Sequence, residues 1–472
     1  MIQRLVSLGG VMLALCAATP ASAQIILGGK SVDVNAPAAA ATTFPVDPDK
    51  ADYRPLVVAI PAFSGATDAE KELAAKVGDT VRNDLASIGL FAAPEASAIS
   101  AFTADIGARP VWADWSGAGV DLLVLGKVVI DANQQLAVQF RLYDIAASKE
   151  LLGTQFTAGG TPNWHRLAHK SADAIMQKLV GGEAGFDSRL AYVAESGGKT
   201  QLAFIAPDGG ASEVIPAPIT SLKAPRQSRN SSIVIYSAQA PVPGKTTQAQ
   251  RTAIVYDLTT GRRESLSTGA QPNGDARYPI AQNDGSLIYS RQEGANTDIY
   301  RLSLGTRKET RLTDDPATET EPALSPDGSQ FAFVSDRGGT PQIYVARVDG
   351  TPMTCAGGAQ AKACNITPAG SGHGSPVWSP RGDWIAFAHK TGEEIAIHLV
   401  RPDGSETRAL TDPGVDMLDL SPTWSPEGRR IAFSRMVGDR AKLAVVNLTG
   451  GEPQTIATDG NAFDPDWGPV QP

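Results

Sequence analysis

Two histidines four residues apart, His165 and His169, stand in the stretch WHRLAHKSADAIMQKLV. On a helix that spacing puts both imidazoles on one face, as two ligands of a zinc ion require. No HExxH pattern accompanies them and no third ligand lies nearby in sequence, so the expectation is surface or packing histidines and no metal site. His373, His389 and His398 are few and scattered along the chain and define no site. Asp284, Asp327 and Glu427, with Arg381 in the equivalent place, recur in SPDG-like turns. An acidic residue there caps backbone N–H groups while the following glycine takes a positive φ, so a structural role is expected. Cys355 and Cys364 flank a Gly/Ala-rich stretch. In an oxidising compartment that pair reads as a loop-closing disulfide. There is no GxSxG elbow, no α/β-hydrolase-sized segment, and no glycine fingerprint for a dinucleotide. No catalytic residue and no cofactor is expected.

The compartment follows from residues 1–23, MIQRLVSLGGVMLALCAATPASA. A short basic start, an apolar run and the small-residue signature Ala21-Ser22-Ala23 describe a cleavable secretory signal. The run is too short to anchor in a bilayer. Leu15, before Cys16, is a poor lipoprotein signal, so a soluble product starting near Gln24 is expected. The formal net charge of −9 gives no electrostatic reason to bind nucleic acid or an anionic membrane face.

Residues 24–53 open with QIILGGKSVDV, whose first residues can form a short strand, and continue as an Ala/Pro/Thr linker without periodicity. Such a segment reads as an arm, for partner capture or as a tether. Residues 54–181 alternate strand and helix signals. PLVVAIPAF, VDLLVLGKVVI, QLAVQFRLYDI and ELLGTQFTA read as strands. Leu73, Val77, Val81, Leu85 and Ile88 recur at helical spacing, and the stretch holding His165 is a second amphipathic helix. This is a small α/β domain of two main helices against a sheet.

Residues 186–472 are repetitive. Pro225, Pro279, Pro322, Pro376, Pro422 and Pro465 recur at intervals of 43 to 54 residues. Each unit carries four short strand signals divided by Gly, Asp and Pro turns, which describes a six-bladed β-propeller. The unit from Arg189 lacks its first strand, and FDPDWGP near the C-terminus supplies one such strand alone. The final segment is therefore expected to pair beside Arg189–Val193 and complete the first blade, removing two open sheet edges. Trp378, Trp424 and Trp467 share one frame position and are assigned to packing between blades. Segments just before each innermost strand converge on one mouth of a propeller. They hold Asp275, Arg277 and Tyr278; Thr320 and Glu321; His373 and Ser375; Asp419 and Ser421. Mixed charge around a concave mouth suits recognition of a folded protein. A propeller hydrolase or lyase would instead need convergent acid, base or metal ligands, and a sugar- or peptidoglycan-binding module would need exposed aromatics.

The whole arrangement resembles the TolB family of the Tol–Pal envelope system. The resemblance runs through WSGAGVDLLVLGKV, HKSADAIMQKLVG, FDSRLAYV, TEPALSPDGSQFAFVSDRGGTPQIY and FDPDWGP. It implies a periplasmic, non-enzymatic adaptor, monomeric before complex formation, supporting outer-membrane integrity and division. It further implies that the propeller mouth binds the peptidoglycan-associated lipoprotein Pal and that the mature N-terminal segment binds the C-terminal domain of TolA. By motif position, Thr320 and Glu321 with Asp275 to Tyr278 fall in Pal-facing loops. Gln24, Ile25, Ile26 and Leu27 belong to the TolA-binding arm. The long Ala/Pro linker and the Cys355–Cys364 insertion depart from the family pattern.

Overall fold

The computed structural model describes residues 24–27, 30–33 and 54–471, apart from 103, 183, 211, 216–220, 229–231, 242–248, 267–274, 282–285, 369–371 and 415. The expected signal segment, residues 1–23, and the expected linker, residues 34–53, lie outside the described residues. Two compact units are present, Met1–Thr42 and Thr43–Pro472. In the first, Gln24–Leu27 pairs antiparallel with Lys30–Asp33, with Gln24 opposite Asp33. The strand expected at the start of the arm thus has a partner within the same opening stretch, QIILGGKSVDV.

The second unit begins with an α/β region. Its sheet runs in the order Phe91–Ala92, Leu56–Ala59, Leu122–Ile130, Gln135–Asp144, Lys149–Gly159. The first three strands are parallel and the rest antiparallel. The helix Asp68–Ser87 starts at Thr67, whose side chain accepts from the Glu70 N–H while the Glu70 carboxylate accepts from the Thr67 N–H at 2.8 Å. That reciprocal cap satisfies two of the unpaired donors at the helix start. Glu70 also accepts from Ile130 N–H at 2.8 Å, tying the helix start to the sheet. Val77, Val81, Leu85 and Ile88 are buried on the inner face. They meet Leu167, Ala172, Ile175 and Leu179 of the helix Trp164–Val180 in one core. The short strand Phe91–Ala92 and the short helices Ala96–Ile99 and Trp112–Gly117 add to the four strands and two helices expected.

From Leu190 onward the chain builds a propeller of antiparallel sheets. Among the described residues, four sheets have four strands each and one has eight. The eight-stranded sheet is two four-stranded sets joined by a single parallel bridge between Ile395 and Leu418. Met353–Thr354 and Gln360–Ala361 form a small hairpin before the outer strand Ala363–Asn365, and a disulfide joins Cys355 to Cys364. The insertion therefore sits at an outer strand, away from the inner ones.

The final strand, Asn461–Trp467, pairs antiparallel with Leu190–Ser196, as FDPDWGP suggested. Neighbouring sheets hold it too. Gln227 N–H donates to Asp466 Oδ2 at 2.6 Å, and Trp467 N–H donates to Thr423 Oγ1 at 2.9 Å. Trp467 is buried, its indole N–H donates to Ser188 Oγ at 2.7 Å, and the Arg430 guanidinium lies 4.8 Å from its ring centre. Trp424 Nε1–H donates to Val377 O at 3.1 Å, and Trp378 packs with Val345 and Ile366 of the preceding sheet. All three tryptophans thus pack between sheets.

Removing the indole of Trp467 leaves a void where the first and last sheets meet. Trp467→Ala is expected to lower the unfolding free energy by about 3–5 kcal/mol. Denaturant titration reads this directly, and a loss below about 1 kcal/mol would show that the tail contributes little to the propeller.

Candidate functional site

The inner strands share one irregularity. Each register shifts at a bulge just before the repeat proline, as between Thr320 and Ala323 or between Leu420 and Thr423. The residue before the proline has a left-handed backbone in every case: φ is 48° at Ala224, 52° at Tyr278, 51° at Glu321, Ser375 and Ser421, and 47° at Asp464. Non-glycine residues rarely adopt that region, and proline ordinarily drives its predecessor toward extended conformations. A bulge leaves one residue unpaired and bends the strand, re-aiming its side chain. Here the six side chains converge on a narrow central cavity of about 30 Å³, with Arg226, Ile280, Pro322 and Pro376 beside them.

Two carboxyl groups meet in this neck. Asp464 Oδ1 accepts from Ser421 Oγ at 2.9 Å, and its Oδ2 accepts from Ala224 N–H at 3.2 Å. Glu321 Oε2 accepts from Ser375 N–H. Burial raises the Glu321 pKa, and the nearby Asp464 raises it further, against the hydrogen bonds from Ser375 and Tyr278. Arg226, Ile280, Pro322 and Pro376 are shared with a wider recess of about 550 Å³ lined by the SPDG turn Ser325–Gly328. A further recess of about 780 Å³ reaches Met176 and Val180 of the α/β region. Between them lies the half-buried Asp466, whose desolvation raises its pKa to about 6 against the attraction of Arg226.

Tyr278, Glu321, Ser375 and Ser421 are therefore brought together at the neck. Ala224 and Asp464 complete the set and were missed, although each stands directly before a repeat proline. The remaining mouth candidates lie on the inner strands themselves. Thr320 is half-buried, and its hydroxyl donates to Ser290 Oγ at 3.3 Å. Asp419 is fully buried, and Arg435 grips both its oxygens at 2.8 Å. Glu319 is likewise buried and held by Arg337. Asp275 and Arg277 lie on the strand Asp275–Ala281, with side chains outside the described ones, as are those of Gln24, Ile25, Ile26 and Leu27.

The expectation that His373, His389 and His398 are scattered is corrected by the fold. Antiparallel register sets His373 opposite His389, and His398 sits on the next strand. Ring centres are 4.7 Å apart for the first pair and 4.3 Å for the second, with 3.0 Å between the Nδ1 atoms of His373 and His389. Burial lowers all three pKa values. For His398 mutual repulsion adds to it, and the value falls to about 4.

The turn acids behave as structural groups. Asp327 accepts from Ser325 Oγ at 2.6 Å and from Ser329 Oγ at 2.7 Å, and these bonds hold its pKa near 2. Glu427 is buried against Arg430 at 2.7 Å. Asp284 lies outside the described residues. His165 and His169, four apart on the helix Trp164–Val180, face Asp208 of the first propeller sheet, a third group that sequence proximity could not supply.

Residues 176–471 match the model of the TolB beta propeller domain, and residues 46–151 match that of the TolB amino-terminal domain. The Tol-Pal system protein TolB of Dinoroseobacter shibae is 37% identical over 272 residues, which span 56% of this chain and 59% of that protein. The Tol-Pal system protein TolB of Paramagnetospirillum magneticum is 35% identical over 153 residues, 32% of this chain and 34% of that protein. The matched segments thus span about three-fifths and one-third of those two relatives. The crystal structure of TolB from Acinetobacter baumannii superposes with a TM-score of 0.70 at 23% identity, over 89% of this chain and 97% of that one. That last likeness is one of fold.

Removing Arg435 strands a fully buried Asp419. Arg435→Ala is expected to cost about 3–5 kcal/mol, and Arg435→Ala/Asp419→Ala less, as a double-mutant cycle by thermal or denaturant unfolding would show. The histidine stack makes a separate prediction. Its folded pKa values lie below the ordinary 6.5, so the unfolded chain binds more protons, and stability falls as pH drops from about 6.5 toward 4. His398→Gln is expected to flatten that part of the stability–pH curve; an unchanged slope would remove the stack as its cause.

Proposed function

The chain belongs to the TolB family, and on that premise we propose that it is a non-enzymatic periplasmic adaptor of the Tol–Pal system. The signal segment 1–23 is removed on export, 24–53 serves as an arm, 54–181 is the α/β domain and 186–472 is the propeller. Taking the eight-stranded sheet as two blades, the propeller has six, and the tail strand seals the ring. The pairing of Asn461–Trp467 with Leu190–Ser196 is the observation that carries this reading. A ring tied by its own tail is a rigid body for docking. In the neck the carboxyl groups are met by backbone and hydroxyl donors.

On this reading the mouth at the start of the inner strands receives the lipoprotein Pal. Asp275, Arg277, Tyr278, Thr320, Glu321, His373, Ser375, Asp419 and Ser421 form or support that surface. The buried members, Asp419 and His373, act by holding the inner strands in place. Gln24 to Leu27 contact the C-terminal domain of TolA. The arm and the mouth thus serve different partners, which lets one protein link two membranes and support outer-membrane integrity during division.

Pulldown from envelope extract tests the assignment. Glu321→Arg is expected to lose chiefly the lipoprotein, and removal of residues 24–35 chiefly the inner-membrane partner. Retention of both partners by both variants would sink the assignment of sites.

A further inference from the structure

A second polar cluster lies where the last helix of the α/β region meets the first propeller sheet. His165 Nε2 is 2.7 Å from Asp208 Oδ2, and His169 Nε2 is 3.5 Å from the same oxygen. The ligand atoms of all three lie within 4.8 Å of one another. Two of the three side chains are oriented from behind. His169 Nδ1 is 2.7 Å from Asp84 Oδ2, a buried carboxylate of the helix Asp68–Ser87, which fixes the ring and turns Nε2 toward Asp208. Asp208 Oδ1 accepts from Gly210 N–H at 2.9 Å, leaving Oδ2 for the histidines. Gly210 allows this approach, since a Cβ there would lie 2.4 Å from His165 Cε1.

His169 is almost fully buried, yet its Nε2 has no hydrogen-bond partner. A ring nitrogen held by a carboxylate on one side and left open on the other is how a histidine is prepared for a metal. The nearby cations are each engaged elsewhere: Arg166 with Asp187, Arg189 with Glu213, and Arg430 with Glu427. Asp208, with the Asp84 carboxyl group behind His169, supplies the acidic groups beside which a divalent ion would sit. A cleft of about 280 Å³ lined by His165, His169, Asp187 and Gln471 gives an entry path and room for a water.

We propose that His165, His169 and Asp208 form a site for a divalent transition ion of the zinc class, with water completing the shell, clamping the α/β region to the propeller. Two imidazoles and a carboxylate suit zinc in kind and number. The ligands come from both parts of the unit, so the ion binds only the docked arrangement and stabilises it by mass action.

Without an ion, the His169 imidazole would bridge Asp84 and Asp208 in its protonated form, and zinc would take the place of the Nε2 proton. The test distinguishes the two. Mature protein is stripped with a chelator and titrated with zinc alone by calorimetry, and X-ray absorption reads the shell. The expected result is one zinc per chain with two imidazole nitrogens at about 2.0–2.1 Å. His165→Ala and Asp208→Asn, both on partly exposed side chains, should each weaken binding at least tenfold and abolish the rise in unfolding midpoint on adding zinc. His398→Ala should leave binding intact, separating this site from the histidine stack. No saturable uptake, uptake unaffected by both ligand substitutions, or uptake lost with His398→Ala would overturn the proposal and leave a protonated bridge.

Discussion

The antiparallel ladder between Asn461–Trp467 and Leu190–Ser196 is the contact on which the rest of the propeller geometry rests. Any other sheet can be built locally, by chain segments close in sequence. This one joins segments some 270 residues apart, and forming it carries a loop-closure cost that local ladders do not. Its reward is that the strand Leu190–Ser196 is paired on its inner side instead of presenting an open edge. The tail also touches sheets on both sides through Gln227 and Thr423, so displacing it would disturb three sheets at once.

Arg430 extends this constraint to the α/β region. Its buried guanidinium is paired with Glu427, reaches Gly185 O and Ser87 Oγ at 3.4 Å, and lies over the rings of Phe186 and Trp467. One cation therefore meets the first helix, the junction after the last helix, a propeller turn and the closing strand. A buried charge of this kind is tolerated only when its partners are all present, which favours a single relative placement of those elements.

Much of the fold is legible in the chain because its signals are local and repeated. Turn prolines and glycines mark the frame, alternating residues mark the strands, and a stray copy of the first strand at the end announces its pairing. The tryptophans could be assigned to packing because they recur in phase. The site was less legible because it depends on register. His373 and His389 become neighbours only through a cross-strand pairing, and Asp208 reaches His165 only because two folded parts dock. Asp419 looks like a rim charge in sequence, yet Arg435 lies opposite it in the ladder and draws it inside. The left-handed residues are not legible in the sequence because the local preference before proline points the other way.

Those residues also limit how the neck can vary. A left-handed backbone costs roughly 1–2 kcal/mol per L-residue, and more for side chains branched at the first carbon. The occupants are Ala, Tyr, Glu, Ser, Ser and Asp, none of them β-branched. The polarity of the bore can therefore be retuned by exchanging unbranched side chains, while valine, isoleucine and threonine are disfavoured there by backbone shape. The lining of the passage is thus open to chemical drift and resistant to a particular class of carbon skeleton, whatever traverses or plugs it.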